Sequence, residues 1–92
     1  MRYDHNANAA AFHHDNPDVL HRLVALARQA KDAGASSYGI AALFEVLRWS
    51  ALMEKRPGEE FKLNNNYRAW YAREIMRLHP DLSGFFTTRG EG

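Results

Sequence analysis

Four side chains suited to nucleic-acid binding recur at helical spacing in the C-terminal half of the chain. They are Asn66, Trp70, Arg73 and Arg77. Intervals of four, three and four residues place them on one face of an α-helix. Arginine and asparagine can hydrogen-bond to base edges or phosphates, and tryptophan can stack on a base. Lys62 and Arg68 lie beside this set and can add phosphate contacts, so they complete the predicted DNA-binding site.

Two other interpretations of this helix face remain open. In one, the face is solvated, its arginines pair with Glu74 or Asp81, and the N-terminal residues cover Trp70. In the other, the face binds a protein partner. The asparagine run at residues 64–66 favours a turn and a helix cap over a ligand site, although capping explains only one or two of these asparagines.

Length and charge restrict the possible functions. Ninety-two residues, of which 46% are hydrophobic and 25% charged, are typical of one small globular domain. The net charge is only +1, well short of the excess that dedicated nucleic-acid binders carry. Residues 1–47 carry a net −1 and residues 48–92 a net +2, so the weak positive excess lies in the half that holds the predicted site.

The cellular compartment is indicated by what the composition lacks. The absence of cysteine excludes disulfides, thiolate metal sites and a cysteine nucleophile, and it fits a reducing cytoplasm. No apolar run approaches the roughly 20 residues that span a bilayer, and the polar N-terminus lacks the hydrophobic region of a signal peptide. We therefore expect a cytoplasmic protein that has no membrane partner.

Histidines and aspartates near the N-terminus suggest a metal site, but their setting argues against one. They are His5, His13, His14, Asp15, Asp18 and His21. Pro17 interrupts any helix that could align His14 with Asp18, and a metal needs three or four ligands in a fixed frame. The serines lack a glycine-flanked nucleophile setting, and the glycines form no phosphate-binding loop. We predict no metal, no cofactor and no enzymatic activity.

Capping residues and apolar periodicity predict three helices. The first covers residues 17–32, with Asn16 as N-cap, Pro17 at its first position and Gly34 beyond its end. The second covers residues 38–54 and the third residues 67–78, with Asn65 or Asn66 as the third N-cap. The predicted core face of the second helix is Ile40, Leu43, Phe44 and Leu47, extended by Leu52 and Met53. That of the third is Tyr67, Tyr71, Ile75 and Leu78.

Short apolar runs on either side of the third helix predict two strands. Residues 61–63 alternate like a strand, and residues 85–88 follow the helix stop at Pro80. Pairing of these runs would clamp both ends of the third helix. The predicted fold class is therefore α+β, mainly α: three helices with a short two-stranded β element, in an arrangement like a reduced winged helix.

The first fifteen residues are polar and show no period, so they are predicted to form a mobile N-terminal arm. Residues 16–92 then form a single small domain. We expect deletion of residues 1–14 to leave the domain folded, at a cost of no more than about 1 kcal/mol in stability.

A longer pattern runs through residues 44–49 and then Phe-Lys-Leu-Asn-Asn-Asn-Tyr at residues 61–67. It continues with Tyr71-Ala72-Arg73, Pro80, Phe85-Phe86 and Arg89. In this pattern, which covers roughly half of the sequence, the chain resembles a set of small uncharacterised proteins from bacterial, plasmid and phage genomes. The resemblance implies a compact accessory domain and carries over no catalytic or binding residue. By analogy alone, it makes a DNA-associated function more expected.

Together these patterns predict a small bacterial or phage accessory protein that binds DNA through the third helix. The alternative is a protein-interaction module, either a homodimer or an inhibitor of a host protein, without nucleic-acid binding. That alternative predicts large apolar side chains left exposed on the folded domain. The candidates are Trp49, Leu52, Met53 and Trp70.

Overall fold

The computed structural model of the chain describes residues 5–54 and 63–86, and within these ranges it is entirely helical. The helices are α1 (His5–Asp15), α2 (Pro17–Asp32), α3 (Ile40–Met53) and α4 (Arg68–Leu78). Short 3-10 turns cover Asn65–Tyr67 and Pro80–Leu82, so one such turn precedes α4 and one follows it. The three predicted helices correspond to α2, α3 and α4.

The core is built around α4, which contacts each of the other three helices. Tyr71, Ala72 and Ile75 on α4 are fully buried. Tyr71 lies edge-on to Phe44 of α3, with ring centroids 6.0 Å apart. Together with Leu23 of α2 these side chains form one continuous cluster, as expected of a domain with a single core.

The predicted limits of α2 are confirmed, because local signals fix both of its ends. Pro17 occupies the first turn, and its missing N–H costs nothing there since that group has no partner within the helix. Gly34 follows the helix with φ at +107°, a left-handed conformation that glycine adopts without strain. Asn16 behaves differently from the prediction: its side chain donates to the Phe12 carbonyl at 3.0 Å, and so closes α1.

The core face predicted for α3 is confirmed in part. Ile40, Leu43, Phe44 and Leu47 are buried. Leu52 and Met53 were expected to extend this face, but they are exposed. The reason is geometric: at 3.6 residues per turn, both positions have rotated away from the stripe that Leu47 continues.

Residues 5–15 form α1, whereas the sequence predicted an arm without secondary structure. The helix lies against α2, α4 and the turn at Asn65–Tyr67. Ala9 is fully buried, and the ring of Phe12 lies 5.5 Å from that of Tyr67. Only these few positions face the core, which is why no apolar period appears in the sequence of α1.

The predicted α+β, winged-helix-like class is wrong for the described ranges, because neither contains a strand. Leu63, Phe85 and Phe86 are buried, but their backbones are irregular. The Leu63 carbonyl accepts from Arg48, and the Phe85 carbonyl accepts from the Tyr38 N–H at 3.1 Å. The described residues of the two runs therefore fill the core and form no strand pair with each other. Phe61, Lys62, Thr87 and Thr88 lie outside the described residues.

Candidate functional site

The asparagine run before α4 has a structural role at two of its three positions. The Asn64 Oδ1 accepts from the Asn66 N–H at 2.8 Å and so caps the turn that leads into α4. The Asn65 Oδ1 accepts from the Arg48 guanidinium of α3. Asn66, the member of the run assigned to the predicted DNA-binding site, has an exposed side chain. The predicted cap at Asn65 or Asn66 therefore belongs to Asn64.

The three arginines of α4 each hydrogen-bond to a neighbouring group of the chain. Arg77 makes a two-point contact with Glu74, with Nε–Oε1 and Nη2–Oε2 distances of 3.0 and 2.6 Å. This contact lowers the pKa of Glu74 and raises the pKa of Arg77. Arg73 donates to the Asn6 Oδ1 of α1 at 3.1 Å. Arg68 donates to the Asn65 carbonyl at 2.9 Å. A carboxylate therefore stands among the cations of the predicted DNA-binding face.

Trp70 is half-buried, because α1 packs against it. Its ring lies 5.7 Å from His13 of α1 and 5.0 Å, edge to face, from Tyr71. The indole ring was predicted to stack on a base, but part of its surface packs against other aromatic rings of the domain.

Trp70 and Arg73 lie on the side of α4 that contacts α1, and Arg77 follows Arg73 by about one helical turn. Asn66 lies in the turn before α4, and Arg68 is the first residue of the helix. Lys62 lies outside the described residues. The solvated interpretation predicted that Arg77 would pair with Glu74, and this pair is present. Asp81, the other acid considered there, pairs instead with Arg28 of α2 at 3.3 Å.

A second polar cluster ties α2 to the turn at Pro80–Leu82. Arg28 donates to both carboxylate oxygens of Asp81 and lies 3.1 Å from the His79 Nδ1. Lys31 donates to the Asp81 carbonyl. The Arg28 contact lowers the pKa of Asp81, and the charge of Lys31 adds to the effect. These contacts link α2 to the turn at Pro80–Leu82 at the surface of the domain.

Two polar atoms beside α1 are buried without a hydrogen-bonding partner in the described ranges: the His13 Nδ1 and the Tyr71 hydroxyl. Burial raises the pKa of Tyr71, and the nearby Tyr67 raises it further. Among the residues that the structure describes, no three His, Cys, Asp or Glu side chains come together as a metal site would require. No described helix is long and apolar enough to cross a bilayer.

The largest apolar surface that α3 leaves open faces away from the core. It consists of Val46, Trp49, Leu52 and Met53, which we call the outer face of α3. Their exposures are 42%, 63%, 60% and 58%. Three of these residues were singled out from the sequence as marks of a protein-interaction module. Trp70, the fourth candidate, is half-buried against α1.

Charged side chains beside the outer face are paired within the chain. Arg48 contacts Glu45 at 2.6 Å, donates to the Leu63 carbonyl at 2.7 Å and bonds to Asn65. Its guanidinium also lies 5.9 Å from the ring centroid of Phe44. Glu54, just after the helix, pairs with Arg22 of α2 at 3.4 Å. The charges that lie among and beside the apolar side chains of the outer face are therefore neutralised within the chain.

Sequence reasoning missed Val46 and the anchoring role of Arg48. A helical projection contains the signal for Val46, since it falls near Met53 and opposite Phe44. No local pattern could reveal the role of Arg48, because two of its partners lie fifteen and seventeen residues away in the chain. Comparisons with protein-family models, with curated proteins and with solved structures find no match to this chain.

Proposed function

We propose that this chain is a small accessory protein, of the bacterial or phage kind that the sequence resemblance implies, which binds another protein chain through the outer face of α3. One observation carries the proposal. Of the fourteen residues of α3, only Glu45, Arg48 and Ser50 are polar, so large apolar side chains occupy two opposite sides of the helix. Helices of this kind are normally buried on all sides. Here one side packs into the core and the other is open.

The composition of the outer face suits a protein partner. Trp49 is a large, rigid side chain of the type that most often dominates the energy of protein interfaces. Burying a leucine or methionine side chain contributes about 1.5–3 kcal/mol, so Leu52 and Met53 would add substantially to the association. A cytoplasmic location is part of the proposal, since a chain without cysteine fits a reducing compartment.

Site-specific photo-crosslinking tests the proposed function. A photo-reactive amino acid at the position of Leu52 should give a discrete covalent adduct in cells that express the protein. The same amino acid at Gln29, an exposed position on α2, is the matched control and should give none. Adding Trp49→Asp to the Leu52 probe should abolish the adduct. Equal labelling from both positions, or no adduct from the Leu52 position, would refute the proposal.

DNA binding through α4 is the second candidate, and the exposure of Asn66, Arg68 and Arg73 supports it. These side chains could contact phosphates. Against it stand the Glu74 carboxylate beside Arg77 and the packing of Trp70 on His13. Fluorescence anisotropy with labelled duplex and single-stranded oligonucleotides at about 50 mM salt decides the question, because electrostatic binding is strong there. Binding that Arg68→Ala and Arg73→Ala together weaken would favour DNA over the outer face of α3.

A further inference from the structure

We infer that the occupant of the outer face of α3 is a second copy of this chain, with the two α3 helices antiparallel about a two-fold axis. The inference rests on the proposed function, since it names the partner of the same face. Three properties of that face carry it: the spacing of its residues, the order of their sizes, and the pairing of the charges beside it.

The spacing is that of a helix-packing seam. Three residues of the outer face, Val46, Trp49 and Met53, continue a series that starts at the half-buried Ala42, with intervals of four, three and four residues. This alternation is the a/d pattern of helices that pack side by side, each side chain entering a gap on the facing helix. A second copy of α3 supplies a helix that carries the same pattern over the same length, so the two seams match along their full extent.

The order of sizes selects the antiparallel direction. The seam begins with the small Ala42 and Val46 and ends with the large Trp49 and Met53. An antiparallel copy places Ala42 opposite Met53 of the partner subunit, and Val46 opposite Trp49 of the partner subunit. Each small side chain then faces a large one, which fills space evenly. A parallel copy would set Trp49 against Trp49 of the partner subunit and leave a gap at Ala42.

The paired charges allow the face to meet itself. A two-fold interface brings each residue against the same surface patch of the other subunit, so unpaired charges there would repel. The only charged residues of α3, Glu45 and Arg48, are paired with each other at 2.6 Å. Glu54 is paired with Arg22. A second copy therefore brings an apolar surface whose charged residues are already paired. A strongly charged partner would find no unpaired residue of opposite charge on α3.

Sedimentation equilibrium of the purified full chain tests the inference. The wild-type mass should rise from one to two chains with concentration, and Trp49→Asp should raise the dimer dissociation constant by at least about tenfold, as loss of a central interface residue does. Leu52→Asp should also weaken the dimer. Leu78→Asp, at an exposed apolar position on α4, is the control and should leave it unchanged. Both α3 positions are exposed, so circular dichroism should report unchanged helix content in the variants.

Disulfide trapping tests the direction of the pairing, because the chain has no cysteine of its own. Ala42→Cys and Met53→Cys proteins, one of them tagged, are mixed and oxidised. The antiparallel arrangement predicts that the mixed disulfide predominates over both symmetric ones. Predominance of the symmetric disulfides would overturn the antiparallel arrangement.

A wild-type chain that stays monomeric up to about 1 mM, the weak limit of specific association, would overturn self-association. So would a folded Trp49→Asp protein that dimerises as tightly as wild type. If the Leu52 probe still gave an adduct of another mass, the interaction module would stand and only its partner would have been misassigned. Absence of any adduct would refute both proposals.

Discussion

The ring of Tyr71 stands edge-on to that of Phe44, with centroids 6.0 Å apart and planes 75° apart. This contact joins α4 to α3 at the centre of the core, and both side chains are fully buried. Phe44 therefore holds in place the helix that carries the outer face. The stability of the domain and the presentation of that face depend on the same residue.

Replacing Phe44 by alanine should lower the free energy of unfolding by about 3–5 kcal/mol, since a large side chain is removed and its cavity refills only partly. Urea denaturation followed by circular dichroism measures the change. Gln29→Ala, at an exposed position on α2, is the control and should stay within about 0.5 kcal/mol. An unchanged midpoint for Phe44→Ala would show that α3 is not packed as described.

Replacing Tyr71 by phenylalanine should leave the protein equally or more stable. The Tyr71 hydroxyl is buried without a hydrogen-bonding partner in the described ranges, and such a group costs about 1–3 kcal/mol relative to a satisfied one. Phenylalanine keeps the edge-on contact with Phe44 and removes only the oxygen. The thermal midpoint should therefore hold or rise. A clear fall would show that the hydroxyl makes a stabilising hydrogen bond.

Removing residues 1–15 should destabilise the domain by more than about 1 kcal/mol, because Ala9 and Phe12 leave the core and Tyr67 and Trp70 become exposed. This expectation reverses the one drawn from the sequence. A Trp49→Phe background leaves Trp70 as the sole tryptophan, and its emission should shift to longer wavelength in the truncated protein. A truncated protein with wild-type stability and emission would mean that α1 adds nothing to the core.

Replacing Asn64 by alanine should cost about 1 kcal/mol, as the loss of a helix cap does. Its neighbour Asn66 is a matched control, since only its backbone N–H takes part in the cap, and Asn66→Ala should change stability by less than about 0.5 kcal/mol. Chemical denaturation of both variants measures the difference. Equal effects would show that the side chain of Asn64 does not cap the turn that leads into α4.

Stability should fall in acid through Glu74 and Asp81. The pKa of each carboxyl is lower in the folded protein than its ordinary value of 4.5 or 3.8, so the unfolded chain binds protons more readily. The stabilisation that these two carboxylates provide is complete when the pH is above their ordinary pKa values. It is lost as the pH falls through their lower pKa values in the folded protein. Thermal midpoints between pH 6 and pH 2.5 should show this loss.

Double replacement by Glu74→Gln and Asp81→Asn should flatten that acid slope, since the groups that take up protons are gone. Gln29→Ala, at an exposed position on α2 that carries no titratable group, is the control and should leave the slope as in the wild type. A double variant with the wild-type slope would show that other groups cause the acid sensitivity.

The parts of the fold that local chemistry determines could be predicted from the sequence. Pro17 and Gly34 fix the limits of α2, and the stripe from Ile40 to Leu47 fixes the buried side of α3. α1 escaped prediction because it buries few side chains and so carries no apolar period. Within the described ranges the prediction of strands was wrong. The sequence of a short apolar run such as Phe85-Phe86 is the same whether its residues pair in a sheet or pack at one end of a core.

The outer face of α3 was visible in the sequence only as an alternative. Whether Trp49 and Met53 are covered depends on where α1 lies, and α1 lies against α4 and α2. Likewise, the helical spacing of Trp70, Arg73 and Arg77 correctly puts them on one side of α4. It could not show that α1 contacts Trp70 and Arg73, since that depends on tertiary packing.

Asn16 is the whole connection between α1 and α2. Its N–H bonds back to the carbonyls of Phe12 and His13, while its own carbonyl accepts from the Val19 N–H. If this short connection straightened, α1 and α2 would form one long helix, and two copies could exchange their first helices. Pro17 opposes this, because its ring would clash with the carbonyl one turn earlier in such a helix. In the proposed dimer, each subunit therefore retains its own α1.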